Sequence, residues 1–114
     1  MTRAIDVRTE VPGPRSRELA ARKGQAVAES LGVYLPIYAA EGRGALVTDV
    51  DGNTFIDFTG GVGCLNVGHA HPKVVAAVQE QAARFFHTDF MMIPYEVYLE
   101  YAERLTAIAP FSGP

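Results

Sequence analysis

Residues 57–72 read Asp-Phe-Thr-Gly-Gly-Val-Gly-Cys-Leu-Asn-Val-Gly-His-Ala-His-Pro, and this stretch holds four of the chain's 11 glycines. Because glycine adopts positive φ and lets a ligand or another backbone approach closely, so dense a cluster predicts a shaped loop that carries function. The residues before it favour a small antiparallel sheet. The sequence from His71-Pro72 onward favours an amphipathic helix that begins directly after the loop. We therefore expect the functional surface at this loop.

The composition is that of one soluble globular domain or of a piece of a larger one, with 114 residues, 48% hydrophobic and 20% charged. A net charge of -3 provides no basic surface for nucleic acid or for an anionic membrane. No apolar run approaches membrane-spanning length, and the first residues lack the apolar core of a secretory signal. The single cysteine, Cys64, excludes an internal disulfide and fits a reducing compartment. We expect a cytoplasmic protein with no nucleic-acid or membrane partner.

An α/β fold is predicted, with an extended arm, a helix, a three-stranded antiparallel meander, the glycine-rich loop and two further helices. The arm covers residues 1–15 and contains Pro12-Gly13-Pro14. The first helix is expected to begin with Ser16 as N-cap and to end with Gly32 as C-cap. The predicted strands are residues 37–40, 45–50 and 54–58. The predicted later helices are residues 72–86 and a helix that starts at Pro94 and is ended by Pro110.

The segment Asp49-Val50-Asp51-Gly52-Asn53 has two interpretations. As a tight hairpin it supplies residues that accept positive φ between two strands. As an ion-binding loop it begins suitably, but an EF-hand needs glycine at the sixth position and glutamate at the twelfth. Those positions hold Thr54 and Gly60. The hairpin is therefore the prediction, and calcium is not.

The residue types that most often carry chemistry have plainer interpretations here. The glycine loop lacks a nucleotide signature, since no Lys-Ser/Thr pair follows it. His69 and His71 supply at most half of a metal site, because His87 is the only other histidine, and a structural or helix-capping role is favoured. Cys64 lacks an evident base and is interpreted as a small buried core residue. Four basic residues near the first helix indicate a solvated face and not a phosphate site: Arg15, Arg17, Arg22 and Lys23.

The connection between the last two helices is more apolar than a solvated loop. Residues 87–93 read His-Thr-Asp-Phe-Met-Met-Ile. The helix before it also places several valines and phenylalanines at helical spacing, so that helix needs an apolar partner. We expect this part of the chain to contact another domain or another subunit.

A series of spaced motifs extends from about Arg17 to Pro110. Its members are Glu41-Gly42, residues 48–53, 56–58, 60–63 and 65–72, then Gln81, Phe85, His87-Thr88, Pro94-Tyr95-Glu96, Tyr98 and residues 102–105. This pattern resembles the N-terminal part of class III aminotransferases, which are fold-type I, pyridoxal-phosphate-dependent enzymes. Within that family the resemblance is greatest to the 4-aminobutyrate aminotransferases.

The resemblance implies a homodimeric transaminase that moves an amino group from an omega-amino acid such as 4-aminobutyrate to 2-oxoglutarate, so its substrates are amino acids and 2-oxo acids. It implies that Val62 presents an aliphatic side chain to the substrate and that Gly61 and Gly63 shape the same wall. Met91 falls where the connection between the helices approaches the active site. Residues 16–110 would belong to the small domain and the start of large-domain packing, and residues 111–114 would be a truncated end.

The same resemblance shows what this chain lacks. Its only lysines, Lys23 and Lys73, do not match the lysine that binds the cofactor as a Schiff base. The family's phosphate loop, its pyridine-nitrogen aspartate and its carboxylate-binding arginine also have no counterparts here. We expect no catalytic residue in this chain, no transamination by the chain alone, and pyridoxal phosphate bound mainly by residues beyond it. The alternative is a noncatalytic remnant or interaction module derived from an aminotransferase.

Overall fold

The computed structural model describes residues 4–111 and residue 113, and the chain divides into two compact units, Met1–Val75 and Ala76–Pro114. Residues 1–3 of the predicted arm and residues 112 and 114 of the predicted terminal segment lie outside the described residues. No helix in the described ranges is long and apolar enough to cross a membrane. The elements in chain order are α1 (Pro14–Ala26), β1 (Ala39–Arg43), β2 (Leu46–Asp49), β3 (Thr54–Ile56), the single turn α2 (Gly60–Gly63), α3 (Pro72–Arg84) and α4 (Glu96–Ile108).

The first unit contains a three-stranded antiparallel sheet in the order β1-β2-β3, which confirms the predicted α/β fold and its meander. Strand β1 pairs with β2 as far as Arg43 opposite Leu46, so a two-residue turn at Gly44-Ala45 joins them. Gly44 has a φ of 58°, which glycine adopts without steric cost. The predicted first strand, residues 37–40, was placed too early. The strand continues through Gly42, which pairs with Val47 inside the ladder although glycine usually interrupts strands.

The second hairpin forms where the Asp-Gly-Asn sequence predicts it. Strand β2 ends at Asp49, β3 begins at Thr54, and Gly52 between them has a φ of 82°. The hydroxyl groups of Thr48 and Thr54, which are paired residues, lie 3.1 Å apart. Local turn chemistry therefore determines this hairpin.

Asp49, Asp51 and Asn53, here called the polar clamp, hold the N-terminal arm on this hairpin. The Asn53 side-chain oxygen accepts the backbone N–H groups of Arg8 at 2.7 Å and Thr9 at 2.9 Å. Its amide nitrogen donates to Thr9 Oγ1 at 2.8 Å and to Asp49 Oδ2 at 3.0 Å. The other Asp49 oxygen accepts the N–H groups of Asp51 and Asn53 at 2.9 and 2.8 Å. The oxygens that suggested an ion-binding loop thus accept hydrogen bonds from the protein itself.

The third member of the polar clamp, Asp51, caps helix α1. Its carboxylate accepts the N–H of Arg15 at 2.7 Å, the N–H of Ser16 at 2.9 Å and the Ser16 hydroxyl. A carboxylate at a helix N-terminus satisfies free N–H groups and complements the helix dipole. The prediction of Ser16 as the N-cap is wrong, because the helix begins earlier, at Pro14, with Gly13 as N-cap. The cap is supplied by Asp51, 35 residues away from Ser16 along the chain.

Helix α1 also ends earlier than predicted, so Gly32 as its C-cap is wrong. The C-cap residue is Val27, in an extended conformation with φ −121° and ψ 137°. Val27 and Leu31 remain 40% and 62% exposed. Because short helices depend on packing of an apolar face, these exposed residues provide little to extend the helix beyond Ala26, and Gly24 weakens its last turns.

The burial pattern of the described residues is unusual for a folded domain. No hydrophobic side chain among them is buried, whereas Ser16, Asp49 and Asn53 are 0%, 2% and 0% exposed. The best-buried side chains therefore form a hydrogen-bonded polar network and not an apolar core. Buried polar groups are tolerated only when paired, as they are here.

In the second unit an aromatic cluster joins α4 to the segment before it. Phe90 packs on Tyr98 with ring centroids 4.5 Å apart, and Tyr95 makes edge contacts with Phe85 and Phe90 at 5.4 Å. Helix α3 ends at Arg84 and α4 begins at Glu96, so both helices are two residues shorter at these ends than predicted. Tyr95 is extended and acts as the N-cap of α4. Extended Ala109 follows the last turn, as expected before Pro110.

Apolar side chains of the second unit remain exposed. The segment between α3 and α4 exposes Met91 by 89%, Met92 by 76% and Ile93 by 64%. Helix α4 exposes Leu105 by 49% and Ile108 by 79%. Contiguous exposed apolar residues mark contact surfaces. The predicted contact of this segment with another domain or subunit remains a prediction.

Candidate functional site

The glycine-rich loop forms α2, a single turn whose residues all have positive φ. The φ angles are 52° at Gly60, 61° at Gly61, 61° at Val62 and 86° at Gly63. Glycine occupies this left-handed region readily, but for a β-branched residue it is an outlier. Val62 therefore carries backbone strain, and its side chain is 99% exposed. Three of the four predicted site residues, Gly61, Val62 and Gly63, thus lie together in this turn.

Hydrogen bonds from Asp57 and Thr59 fix the start of this turn. The Oδ1 atom of Asp57 accepts the Thr59 N–H at 2.8 Å, the Thr59 hydroxyl at 2.7 Å and the Gly60 N–H at 3.0 Å. The carbonyl oxygen of Thr59 then accepts the N–H groups of Val62 at 2.9 Å and Gly63 at 3.2 Å. The backbone of the turn is consequently determined by one carboxylate oxygen and one carbonyl oxygen.

His69 holds the other oxygen of the same carboxylate. Its Nε2 atom lies 2.7 Å from Asp57 Oδ2, and its backbone exchanges hydrogen bonds with Gly44 at 2.9 and 2.8 Å. Its ring lies so close to Gly42 that a Cβ there would meet the His69 Cγ at 2.6 Å. The favoured structural role of His69 therefore has a concrete form, which is to tie the carboxylate to the β1–β2 turn.

The hydrogen bonds to Asp57 hold the pKa of its carboxyl group below its usual range. The hydroxyl of Thr59 contributes most, followed by His69 and the N–H of Gly60, while partial burial acts in the opposite direction. The carboxylate is therefore ionised at neutral pH and accepts hydrogen bonds only. It follows that His69 Nε2 carries a hydrogen and donates it to Asp57.

The glycine turn is expected to loosen only in acid. Because the pKa of Asp57 is lower in the folded chain than in the unfolded chain, its stabilising effect is present above the unfolded value and disappears as pH falls below about 4. Amide exchange at Thr59 and Gly60, corrected for intrinsic rates, should therefore be constant from pH 7 to pH 4 and accelerate below. Loss of protection with a midpoint above pH 5 would contradict this assignment.

Cys64 and His71 are the remaining residues of the loop for which the sequence predicts a role. Cys64 is exposed, so its interpretation as a buried core residue is wrong; the turn points its thiol outward, and the thiol donates to the Gly61 carbonyl at 3.0 Å. The carbonyl of His71 accepts the first bond of α3 from Val75 at 2.9 Å. The buried Nδ1 atom of the His71 ring has no hydrogen-bond partner within the described residues. Within the same ranges no group of three or more potential ligands is placed to hold a metal.

The glycine turn does not offer a site for the phosphate of pyridoxal phosphate. The N–H groups of Gly60, Val62 and Gly63 already donate to Asp57 or Thr59, so they are not available to cradle a phosphate. Lys23 lies in α1 and Lys73 in the first turn of α3, neither of them in the glycine turn. The turn is suited instead to present an aliphatic surface.

The fourth predicted site residue, Met91, lies in the second unit. It belongs to a tight turn in which Asp89, with a φ of 53°, accepts the Met91 N–H through its side chain at 3.2 Å. The Asp89 carbonyl accepts the N–H groups of Met92 and Ile93 at 2.8 and 3.0 Å. This turn displays Met91 with 89% of its surface exposed.

Sequence reasoning missed Asp57 and Thr59 as organising residues. Their pattern, Asp-Phe-Thr-Gly, is that of an Asx turn, in which an aspartate side chain accepts N–H groups two and three residues later. That local signal was present in the sequence. The pairing of Asp57 with His69, 12 residues away, has no such signal.

Comparison with known proteins agrees with the fold and the motifs. The Aminotransferase class-III family pattern matches residues 27–112. The 4-aminobutyrate aminotransferase of Mycobacterium tuberculosis is 47% identical over 106 residues, covering 93% of this chain and 24% of that protein. The 5-aminovalerate aminotransferase of Pseudomonas aeruginosa is 41% identical over 99 residues, covering 87% of this chain and 23% of that protein. The chain thus spans about a quarter of the length of these curated relatives.

The structural comparison gives the same result. A solved transaminase with PLP bound superposes with a TM-score of 0.73 at 33% sequence identity. The match covers 90% of this chain and 24% of that one. The family match, the sequence identity and the shared fold agree, and the chain therefore belongs to the class III aminotransferases.

Proposed function

We propose that this chain is the N-terminal part of a pyridoxal-phosphate-dependent transaminase that moves an amino group from an omega-amino acid, 4-aminobutyrate or a close relative, to 2-oxoglutarate. The observation that carries the proposal is the 47% identity to a 4-aminobutyrate aminotransferase across 93% of this chain. The similarity to a 5-aminovalerate aminotransferase supports an amino donor with a terminal amine and a flexible methylene chain.

In this proposal Val62 contacts the methylene chain of the amino donor. An exposed aliphatic residue held in a strained conformation gains nothing for stability, and such strain is concentrated at functional sites. Gly61 and Gly63 are proposed to shape the same wall, since both have positive φ, and a Cβ at Gly61 would come within 2.9 Å of the Cys64 sulfur. Met91 is proposed as a further substrate contact, supported by its exposure in a rigid turn.

The remaining parts of the enzyme are proposed to lie outside this chain. Pyridoxal phosphate, which supplies the electron sink for amino transfer, would be bound mainly by residues beyond this chain, so the chain alone would be inactive. The exposed apolar segment, residues 86–93, supports a subunit contact in a homodimer, with Phe86 at 89% exposure. The exposed thiol of Cys64 supports a reducing, cytoplasmic location.

Replacing Val62 with alanine tests this role in the full-length protein that the gene of this chain encodes. Removing two methyl groups from a hydrophobic contact should lower kcat/KM for 4-aminobutyrate about 10-fold, at roughly 0.8 kcal/mol per group. The matched control is Val67→Ala, another exposed valine of the same loop, which should change kcat/KM less than twofold. Equal effects of the two substitutions would contradict the proposed contact.

A further inference from the structure

We infer that Asp57, held by His69, is the positioning residue that keeps Val62 in its strained outward conformation. The inference rests on the proposed substrate contact of Val62, because it assigns the control of that contact to a carboxylate five residues earlier in the chain. Asp57 itself acts through the backbone and carries no chemical step.

Something other than packing must hold Val62 in place. A β-branched residue at a φ of 61° is strained and persists only where its surroundings determine it. The Val62 side chain is 99% exposed, so side-chain contacts do not supply that constraint. The constraint therefore comes from the backbone hydrogen bonds of the turn.

Those bonds lead back to Asp57 in two steps. The Val62 N–H donates to the Thr59 carbonyl at 2.9 Å. The orientation of Thr59 is set in turn by its N–H and its hydroxyl, both of which donate to Asp57 Oδ1, at 2.8 and 2.7 Å. Gly60, the first residue of the turn, donates to the same oxygen at 3.0 Å. One oxygen atom thus orients both residues that precede the glycine-valine pair.

The second oxygen fixes the carboxylate itself. His69 Nε2 lies 2.7 Å from Asp57 Oδ2, and the His69 backbone is paired with Gly44 in both directions. The Asp57 N–H donates to the carbonyl of Ala45 at 2.8 Å. Both carboxylate oxygens of Asp57 are therefore hydrogen-bonded, and its backbone is bonded to the β1–β2 turn. The position of the glycine turn is consequently fixed relative to the sheet.

A comparison with Asp89 supports the need for a hydrogen-bond acceptor from another residue at Val62. Asp89 also has positive φ, at 53°, but its own carboxylate accepts the Met91 N–H, and aspartate tolerates that conformation. Valine has no polar side chain with which to do the same. The conformation of Val62 therefore depends on the carboxylate of another residue, whereas the conformation of Asp89 is supported by its own carboxylate.

The test uses the chain labelled with 15N,13C-valine, so that Val62 and Val50 report together. The Val50 N–H donates to Tyr38 within the first unit at 2.8 Å and reports whether that unit stays folded. In Asp57→Ala the Val62 HN–Hα coupling and Cα shift should move from left-handed to extended values, and its amide should exchange at least 10-fold faster, while Val50 stays unchanged. The matched control is Asp6→Ala, an exposed carboxylate whose side chain pairs only with Arg8 within the described residues; it should leave both valines unchanged.

Conservative variants distinguish a local change at Val62 from unfolding of the first unit. Thr59→Ser retains the hydroxyl and should preserve the Val62 signature, whereas Thr59→Val should accelerate Val62 exchange at least threefold. If Asp57→Ala unfolds the sheet, as lost Val50 protection would show, Asp57→Asn and His69→Gln are measured in the same way. Left-handed Val62 with unchanged exchange in every variant that keeps Val50 protected overturns the inference.

A kinetic measurement separates this inference from the proposed function. In the full-length protein that the gene of this chain encodes, Asp57→Ala should raise KM for 4-aminobutyrate about fivefold or more and change kcat less than twofold, because only the wall that contacts the substrate moves. If Val62 relaxes in the spectra but KM does not change, the positioning role stands and the substrate role of Val62 fails. If Val62 does not relax, the positioning role fails whatever the kinetics show.

Discussion

Asn53→Ala is expected to destabilise the first unit by about 3 kcal/mol, because it removes four hydrogen bonds from a fully buried site. The substitution leaves the N–H groups of Arg8 and Thr9 without the acceptor that pairs with them. It also leaves one Asp49 oxygen without its amide donor. The arm should separate from the hairpin. In the structure the polar clamp and one backbone bridge, between Asp6 and Thr54, attach the arm to the hairpin.

Urea unfolding followed by circular dichroism measures this loss. The control is Asn66→Ala, because Asn66 is exposed and its side chain makes no hydrogen bond within the described residues; it should change the free energy of unfolding by less than 0.5 kcal/mol. A loss below about 1 kcal/mol for Asn53→Ala would mean that the polar clamp contributes little to stability.

Gly13→Ala and Gly24→Ala are expected to change stability in opposite directions. A Cβ at Gly13 would lie 2.2 Å from Asp51 Cγ and 2.6 Å from its Oδ1, so alanine must displace the carboxylate that caps α1. Loss of that cap together with steric strain should cost about 3 kcal/mol. A Cβ at Gly24 meets nothing within 4 Å and replaces glycine inside a helix, which should stabilise the chain by about 1 kcal/mol.

The same unfolding experiment distinguishes these outcomes. Helix content at low urea should fall in Gly13→Ala and rise slightly in Gly24→Ala. The double variant Gly13→Ala/Asp51→Ala should recover little of the loss, because the Cβ of residue 51 still lies 2.6 Å from the new Cβ and the carboxylate that caps α1 is gone. Equal effects at both glycines would show that the helix responds to intrinsic propensity alone and that the Asp51 cap is unimportant.

The elements that were predicted correctly have strong local signals. Asp51-Gly52-Asn53 formed the predicted hairpin because such residues suit positive φ, and Pro72 began the predicted helix because proline is pre-organised for a first turn. Boundaries failed where tertiary contacts decide them. Helix α1 begins at Pro14 because Asp51 caps it from the hairpin, which no local pattern around Ser16 reveals.

The site was predicted in part, and from resemblance more than from chemistry. Glycine density indicated a shaped loop, and the turn does place three glycines and Val62 at positive φ. The pairing of Asp57 with His69 depends on how the sheet brings residues 12 positions apart together, so the sequence did not reveal it. The prediction that Cys64 is buried fails, because small apolar residues are usually buried but this turn exposes the Cys64 thiol.

The most direct test of the central claim is to titrate the 114-residue chain and the full-length protein that its gene encodes with pyridoxal phosphate, reduce each with borohydride and locate any modified lysine by mass spectrometry. We predict no stoichiometric modification of Lys23 or Lys73 in the chain. In the full-length protein we predict one modified lysine outside these 114 residues, together with transfer of the amino group from 4-aminobutyrate to 2-oxoglutarate. Saturable one-to-one modification of Lys23 or Lys73, or a gene product that ends at Pro114 and does not transaminate, would contradict the proposal that this chain is part of a larger transaminase.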